Sequence, residues 1–147
     1  MELEYRVGDI LDYEGKYICQ GVNTLGVMGA GLALQIRNKY PKVWEVYSKK
    51  KLKLGDAFGV ECDPHTILCI VTQKEIGRYK KPFNYTAFEL GLSKIDEKLN
   101  GDIAFPPIGC GLGGGDFRIV REILLRCKNI RPIIYYLNDE IPKEYLC

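Results

Sequence analysis

The sequence predicts a three-layer α/β/α sandwich on a mixed, mostly parallel sheet, built as one domain over residues 1–147. Three observations lead there. Apolar strand-like runs alternate with stretches whose apolar residues recur at three- and four-residue spacing. Two glycine-rich loops, Asn23–Gly31 and Gly109–Asp116, each join such a run to such a stretch. No internal repeat, low-complexity segment or linker breaks the pattern, and 147 residues can bury a substantial core.

Each element follows in order. Tyr5-Arg6-Val7 reads as a short first strand and Gly8-Asp9-Ile10 as a turn. Tyr17–Val22 is a second, buried strand with Asn23 at its end. Leu32, Ile36 and Tyr40 form the apolar stripe of a helix over 31–40, which Pro41 stops. Val43–Lys51 reads as a second helix. Its closing run Lys49-Lys50-Lys51 suits a helix C-terminus and reads as a solvated face. Ala57–Cys62 is a strand and Asp63-Pro64 a turn. Thr66–Thr72 is the clearest central strand, and Gln73-Lys74-Glu75 leaves its end before a polar loop over 77–82.

A helix then begins near Asn84, with Thr86 and Glu89 at capping-box spacing. Its stripe is Phe88, Leu92, Ile95 and Leu99. Asp102–Phe105 is a strand ended by Pro106-Pro107. Asp116 reads as the N-cap of the last helix, whose stripe is Phe117, Val120, Leu124 and Cys127. Pro132–Leu137 is the final strand, rich in β-prone residues, and Asn138–Cys147 a polar tail.

Composition narrows the function. A hydrophobic fraction of 46% and a charged fraction of 27% are those of a soluble globular chain. A formal net charge of +2 makes no case for DNA or RNA binding. Met1–Tyr5 lacks the features of a signal peptide, and no apolar run has the length of a membrane span, so a cytoplasmic monomer away from membranes is expected. The six cysteines form no C-x-x-C pair and His65 is the sole histidine, so reduced thiols and no metal are expected. His65 lies in the turn before the central strand, away from the loops, and is expected to be exposed and uninvolved.

The two loops carry the chemistry. A glycine-rich passage from strand to helix presents bare backbone N–H groups at a helix N-terminus, an anion site. Two of them suggest a diphosphate, held at the carboxyl ends of the strands. Gly109, Gly111 and Gly114 also fit the dinucleotide fingerprint, with Asp139 near the place of a ribose-binding acid. Only one strand follows them, however, where that fold needs more βα units. Neither loop continues into the Gly-Lys-Ser/Thr of a Walker A motif. The plain structural alternative is that the glycines only make tight turns and caps.

The residues Gly8-Asp9-Ile10, Asn23 with Gly26-Val27-Met28-Gly29-Ala30-Gly31-Leu32-Ala33, and Pro107-Ile108-Gly109-Cys110-Gly111-Leu112-Gly113-Gly114 resemble the three ligand segments of macrodomains. The resemblance runs over nearly the whole chain. It points to the subgroup of ADP-ribose 1''-phosphate phosphatases, terminal ADP-ribose glycohydrolases and the antitoxin macrodomain that removes ADP-ribose from DNA. It implies a macrodomain-like fold, a small-molecule ligand (ADP-ribose or a derivative) and no cofactor. Its hydrolase would act on that ligand, free or attached to a protein or nucleic acid. The alternative is a non-catalytic ADP-ribose reader or nucleotide-sequestering protein.

The resemblance also implies roles. Asp9 would accept from the adenine amino group, with Gly8 and the Ile10 backbone beside it. Asn23 would bond a hydroxyl of the distal ribose. The backbones of Gly26, Val27, Met28, Gly29, Ala30 and Gly31, and of Ile108, Gly109, Cys110, Gly111, Leu112 and Gly113, would clasp the diphosphate, with Pro107 opening the second loop beside the ligand. Thr72 and Gln73 would border the site, and Tyr136 or Asn138 the adenosine side. The subgroup's glycohydrolases carry a lysine directly after the threonine of the central strand. Here Gln73 holds that place and Lys74 follows. The aspartate of the protein-directed enzyme is replaced by Gly113. Asn23 and Lys74 are the catalytic candidates.

Overall fold

The computed structural model describes residues 3–74, 83–109 and 115–137. Six strands, β1 (Glu4–Val7), β2 (Tyr17–Asn23), β3 (Ala57–Glu61), β4 (Thr66–Gln73), β5 (Gly101–Phe105) and β6 (Ile130–Tyr136), alternate with helices α1 (Gly31–Lys39), α2 (Pro41–Tyr47), α3 (Tyr85–Lys98) and α4 (Phe117–Leu124). They form one sheet in the order β1-β6-β5-β2-β4-β3. Every neighbouring pair is parallel except β3 with β4, so the carboxyl ends of five strands share one edge.

Both faces of the sheet are covered, and β4 shows how the sequence achieves this. Successive side chains point to opposite faces. Ile67, Cys69 and Val71 pack with Ile36, Val43 and Tyr47 of the first two helices, while Leu68 and Ile70 pack with Phe88, Leu92 and Val120 of the last two. A strand buried on both faces reads as a continuous apolar run. That run marks double burial rather than a central place, for β4 lies next to the edge strand.

Local chemistry moves several boundaries. Pro41 ends one helix and also opens α2, because proline suits the first helical position. The second helix stops at Tyr47, not Lys51. Beyond the buried pair Val43 and Tyr47 the chain offers Ser48 and three lysines, which extend no buried stripe, and packing supplies most helical stability. The three lysines therefore lie outside the helix. Asn84, not Thr86, caps α3, its side chain accepting from the Ala87 N–H at 2.8 Å. Glu89 instead meets Arg126 at 2.6 Å. Asp116 caps α4 as its position suggests.

The expectation of an exposed His65 is overturned. The ring is buried, with Nδ1 at the Tyr40 hydroxyl and Nε2 at the Tyr13 carbonyl. Both partners come from distant segments, so no local signal pointed to them. The ring sits at the start of β4, the end opposite the loops.

One exposed-looking carboxylate ties the layers together. Asp96 on α3 accepts backbone N–H groups from Lys128, Asn129 and Ile130 at 2.8–2.9 Å, fixing the entry to β6. Burial alone would raise its pKa, but these bonds outweigh that and hold it below the usual carboxylate value. The stabilisation is therefore complete above the unfolded pKa of about 4 and is lost as pH falls through the depressed folded value. Asp96→Ala is expected to cost about 2 kcal/mol at pH 7 in urea unfolding, with the difference from wild type shrinking in acid. An equal difference at pH 7 and in acid would remove the charge from this account.

Candidate functional site

The site grows from the strand order. The adjacent strands β2 and β5 send their following segments to opposite faces: β2 leads to α1 and β5 leads to α4. A ligand crevice opens where neighbouring connections diverge in this way. A cleft of about 630 Å³ lies there. Its floor includes Gln20, Gly21, Val22 and Asn23 of β2 with Thr72 and Gln73 of β4. One wall is Val27, Gly29, Ala30, Gly31, Leu32 and Ala33, and the other is Phe83 with Pro106, Pro107, Ile108 and Gly109.

A register shift shapes the floor. Val22 pairs with Val71 but Asn23 pairs with Gln73, leaving Thr72 as the extra residue of β4. Such bulges redirect side chains and cluster near active sites. The Thr24 N–H then donates to the Gln73 carbonyl at 3.1 Å and the Thr24 hydroxyl to the Lys74 carbonyl at 2.7 Å, sewing the two strand ends together.

The buried side chain of Asn23 organises the first loop. Its Oδ1 accepts from the N–H groups of Leu25 (2.9 Å) and Val27 (3.3 Å), and its Nδ2 donates to the Val27 carbonyl at 3.1 Å. The Tyr47 hydroxyl lies 2.6 Å from the Asn23 carbonyl oxygen and 2.7 Å from Oδ1. Burial pushes Tyr47 up to about 12, so it remains a neutral donor. The amide oxygen is thus saturated, and what Asn23 has left for a ligand is one Nδ2 hydrogen. Trp44 adds a tie, Nε1 to the Gly26 carbonyl at 3.2 Å. Met28 is buried in the core, so only its backbone serves the loop surface.

The second loop is held at its ends. Gly109 has φ +81, a region disfavoured for side-chain-bearing residues, and a Cβ there would meet the Phe83 ring at 3.0 Å. The Gly115 N–H donates to the Gly109 carbonyl at 2.5 Å, and the Asp116 N–H to the Tyr85 hydroxyl at 2.7 Å. Cys110, Gly111, Leu112 and Gly113 lie outside the described residues, as does Asn138.

The predicted adenosine side forms a separate group at the same edge. The Gly8 N–H donates to the Tyr136 carbonyl at 2.9 Å, bringing together the ends of β1 and β6. Asp9 is exposed, and its Oδ1 caps the short 3-10 turn Ile10–Asp12 by accepting from Leu11 at 2.9 Å. The Ile10 side chain is buried. From β1 to β4 the strand ends span four inter-strand steps, about 19 Å. Lys74 is exposed and is not among the cleft-lining residues.

Sequence reasoning missed Tyr47, Trp44, Phe83, Gln20 and Gly21. Gly21 did leave a signal, since a glycine inside a strand marks close approach. A Cβ there would stand 3.0 Å from Thr72 Oγ1, on the cleft floor. Among the described lining residues none is ionisable; the polar side chains are Gln20, Asn23, Thr72 and Gln73. The four described cysteines are free thiols, and Cys19, Cys69 and Cys127 are buried, which raises their pKa values and keeps them protonated.

Together these features define an α/β domain with a crevice between the strand-end loops at a switch point of a doubly covered sheet. No family model matches the chain. It is 30% identical over 132 residues to a DNA ADP-ribosyl glycohydrolase of Mycobacterium tuberculosis, covering 84% of this chain and 38% of that protein. It is 31% identical over 144 residues to a 17.5 kDa protein of Enterobacteria phage T4, covering 84% of this chain and 88% of that one. In structure it resembles the macrodomain of Mycobacterium tuberculosis DarG, with TM-score 0.77, 28% identity, and 90% and 96% of the two chains covered. It likewise resembles Thermosipho africanus DarTG in complex with ADP-ribose, with TM-score 0.78, 26% identity, and 97% and 44% covered. The chain belongs to the macrodomains. It spans 38% of the length of the mycobacterial glycohydrolase it matches.

Proposed function

We propose that the cleft binds ADP-ribose and that the chain hydrolyses the bond between its distal ribose and an attached group, as an ADP-ribosyl glycohydrolase. The observation that carries this reading is the pair of loops leaving adjacent strands β2 and β5 on opposite faces, with a cleft between them. Their backbone N–H groups suit a diphosphate. The adenosine would extend toward Gly8, Asp9 and Tyr136, and the distal ribose would lie over Asn23, donating Nδ2–H to a ribose hydroxyl. The relatives named as glycohydrolases, and the neighbour solved with ADP-ribose, support the same ligand.

In the reaction, water adds its oxygen to the anomeric carbon while the bond to the acceptor breaks and the acceptor leaves with a proton. With no ionisable group among the described lining residues, catalysis rests on orientation and on dipoles aimed at developing charge. A second reading is a binder with little turnover, favoured by the exposed place of Lys74 outside the cleft. Calorimetry with ADP-ribose, AMP and NAD tests the site, and release of ADP-ribose from an ADP-ribosylated oligonucleotide tests the reaction. Micromolar ADP-ribose binding with weaker AMP is expected; no ADP-ribose binding would sink the proposal. Lys74→Ala is expected to change turnover less than threefold or so. A hundredfold loss, of the size general-acid or nucleophile removal brings, would place the lysine in the chemistry.

Asp9 has a double duty that its variants separate. Asp9→Ala removes both an acceptor for adenine and the cap on Leu11, so about 1 kcal/mol of stability goes with it. Asp9→Asn keeps an oxygen for the cap while placing an amide N–H beside the adenine amino group. We expect Asp9→Asn to weaken ADP-ribose binding about tenfold with unchanged stability. Unchanged affinity in both variants would remove Asp9 from adenine recognition.

A further inference from the structure

Hydrolysis needs a water that aims a lone pair at the anomeric carbon, and such a water must give its hydrogens to acceptors. The cleft offers few. Its described polar side chains are Gln20, Asn23, Thr72 and Gln73. Asn23 Oδ1 already accepts from Leu25, Val27 and Tyr47, and Gln73 is likewise engaged. Gln20 turns toward the α1 and α2 face, where its Nε2 donates to Cys69 Sγ at 3.4 Å. We infer that Thr72 is a catalytic residue whose hydroxyl holds the attacking water in a notch over Gly21; the reaction it serves rests on the proposed function.

Thr72 is available for this. The residue is 2% exposed. Its carbonyl accepts from the Asn84 N–H at 2.8 Å, but among the described residues its hydroxyl has no hydrogen-bond partner. A buried hydroxyl left in that condition is costly. It is not sealed off, since among the described residues the one enclosed side-chain polar atom without a partner is Arg121 Nε. Oγ1 therefore keeps access to the cleft that Thr72 lines.

The notch is made by a glycine. A Cβ on Gly21 would stand 3.0 Å from Thr72 Oγ1 and 3.3 Å from Cδ1 and Cγ1 of Ile108. Because Gly21 carries no side chain, a water oxygen fits at that place, at hydrogen-bonding distance from the hydroxyl and with Ile108 as an apolar wall. A buried water needs at least two polar partners. The second is the backbone edge of β2, which β5 pairs only at Tyr17 and Ile18 and which borders the cleft beyond them. The register shift that pairs Val22 with Val71 and Asn23 with Gln73 leaves Thr72 without a cross-strand partner in β2. Gly21 lies two residues before Asn23, about 7 Å along the strand, so a ribose resting over Asn23 brings its ring carbons above the notch.

In the step, the water oxygen bonds to the anomeric carbon. The bond to the attached group breaks, its electron pair goes to that group, and the proton lost by water ends on the same group. Thr72 accepts a hydrogen bond from the water throughout and is left unchanged. It supplies orientation rather than a proton, in keeping with described lining residues that include no ionisable group.

Thr72→Val keeps the side-chain shape and removes the hydroxyl. The test is single-turnover release of ADP-ribose from an ADP-ribosylated oligonucleotide, with ADP-ribose calorimetry and thermal melting on the same samples. Turnover in Thr72→Val is expected to fall about thirtyfold while ADP-ribose affinity stays within about threefold of wild type. Its melting temperature is expected to be no lower than wild type, because no protein hydrogen bond is lost. Thr72→Ser restores the hydroxyl and is expected to bring turnover back to within about threefold. Gly21→Ala fills the notch, the flexible end of Ile108 giving way, and is expected to lose turnover like Thr72→Val with affinity retained. Wild-type turnover in a folded Thr72→Val or Gly21→Ala protein would overturn the inference. So would a Thr72→Ser protein no faster than Thr72→Val, or affinity falling in step with turnover, which would make the hydroxyl a ligand contact instead. A wild type that binds ADP-ribose and releases none would overturn the proposed reaction, and this inference with it.

Discussion

Gly29→Val is expected to abolish ADP-ribose binding, at least about a hundredfold, while shifting the melting temperature by no more than about 2 °C. Gly29 lies on the loop wall of the cleft and is exposed. A Cβ there would touch only Val27 Cγ1, at the ordinary contact distance of 3.8 Å. The fold therefore accepts a larger residue at this position. A phosphate lying on the loop backbone would not, because a β-branched side chain covers the N–H groups that should meet it. Most glycine substitutions confound lost folding with lost binding; at Gly109, with its positive φ and the Phe83 ring beneath, both would fail together. Calorimetry and thermal melting on the same sample separate the two. Retained binding in a folded Gly29→Val protein would mean that the anion cradle lies elsewhere.

Asn23→Ala should be the most damaging single side-chain truncation in the cleft. It removes the acceptor for Leu25 and Val27, the donor to the Val27 carbonyl and a partner of Tyr47. Because Leu25 and Val27 are exposed, water can take over their N–H groups, and the stability cost is held to about 1–2 kcal/mol. The loop loses its shape, and ADP-ribose binding is expected to fall about a hundredfold, or about 2.7 kcal/mol. Tyr47→Phe gives the graded comparison. It removes one hydroxyl while leaving the Asn23 bonds to Leu25 and Val27, so a fall in affinity of about tenfold is expected. If Asn23→Ala binds like wild type, the first loop does not hold the ligand. If Tyr47→Phe matches Asn23→Ala, the loop depends on α2 more than on its own Asx turn.

Local pattern alone was enough to determine the layered α/β architecture, the six strands and four helices, the two glycine loops at strand ends and the cap Asp116. These depend on period, on proline and glycine, and on short-range hydrogen bonding, all of which are written along the chain. The family resemblance likewise rested on contiguous motifs. Tertiary structure decided what those motifs touch. The pairing of β2 with both β5 and β4 places the loops across one crevice, and only the one-residue shift at Thr72 sets where Gln73 and Lys74 stand. Tyr47 reaching Asn23 across 24 positions, and His65 enclosed by Tyr13 and Tyr40, left no mark in local spacing. Such contacts form because burying a polar group without a partner is costly, and the partner is whichever group the packed sheet and helices bring within reach.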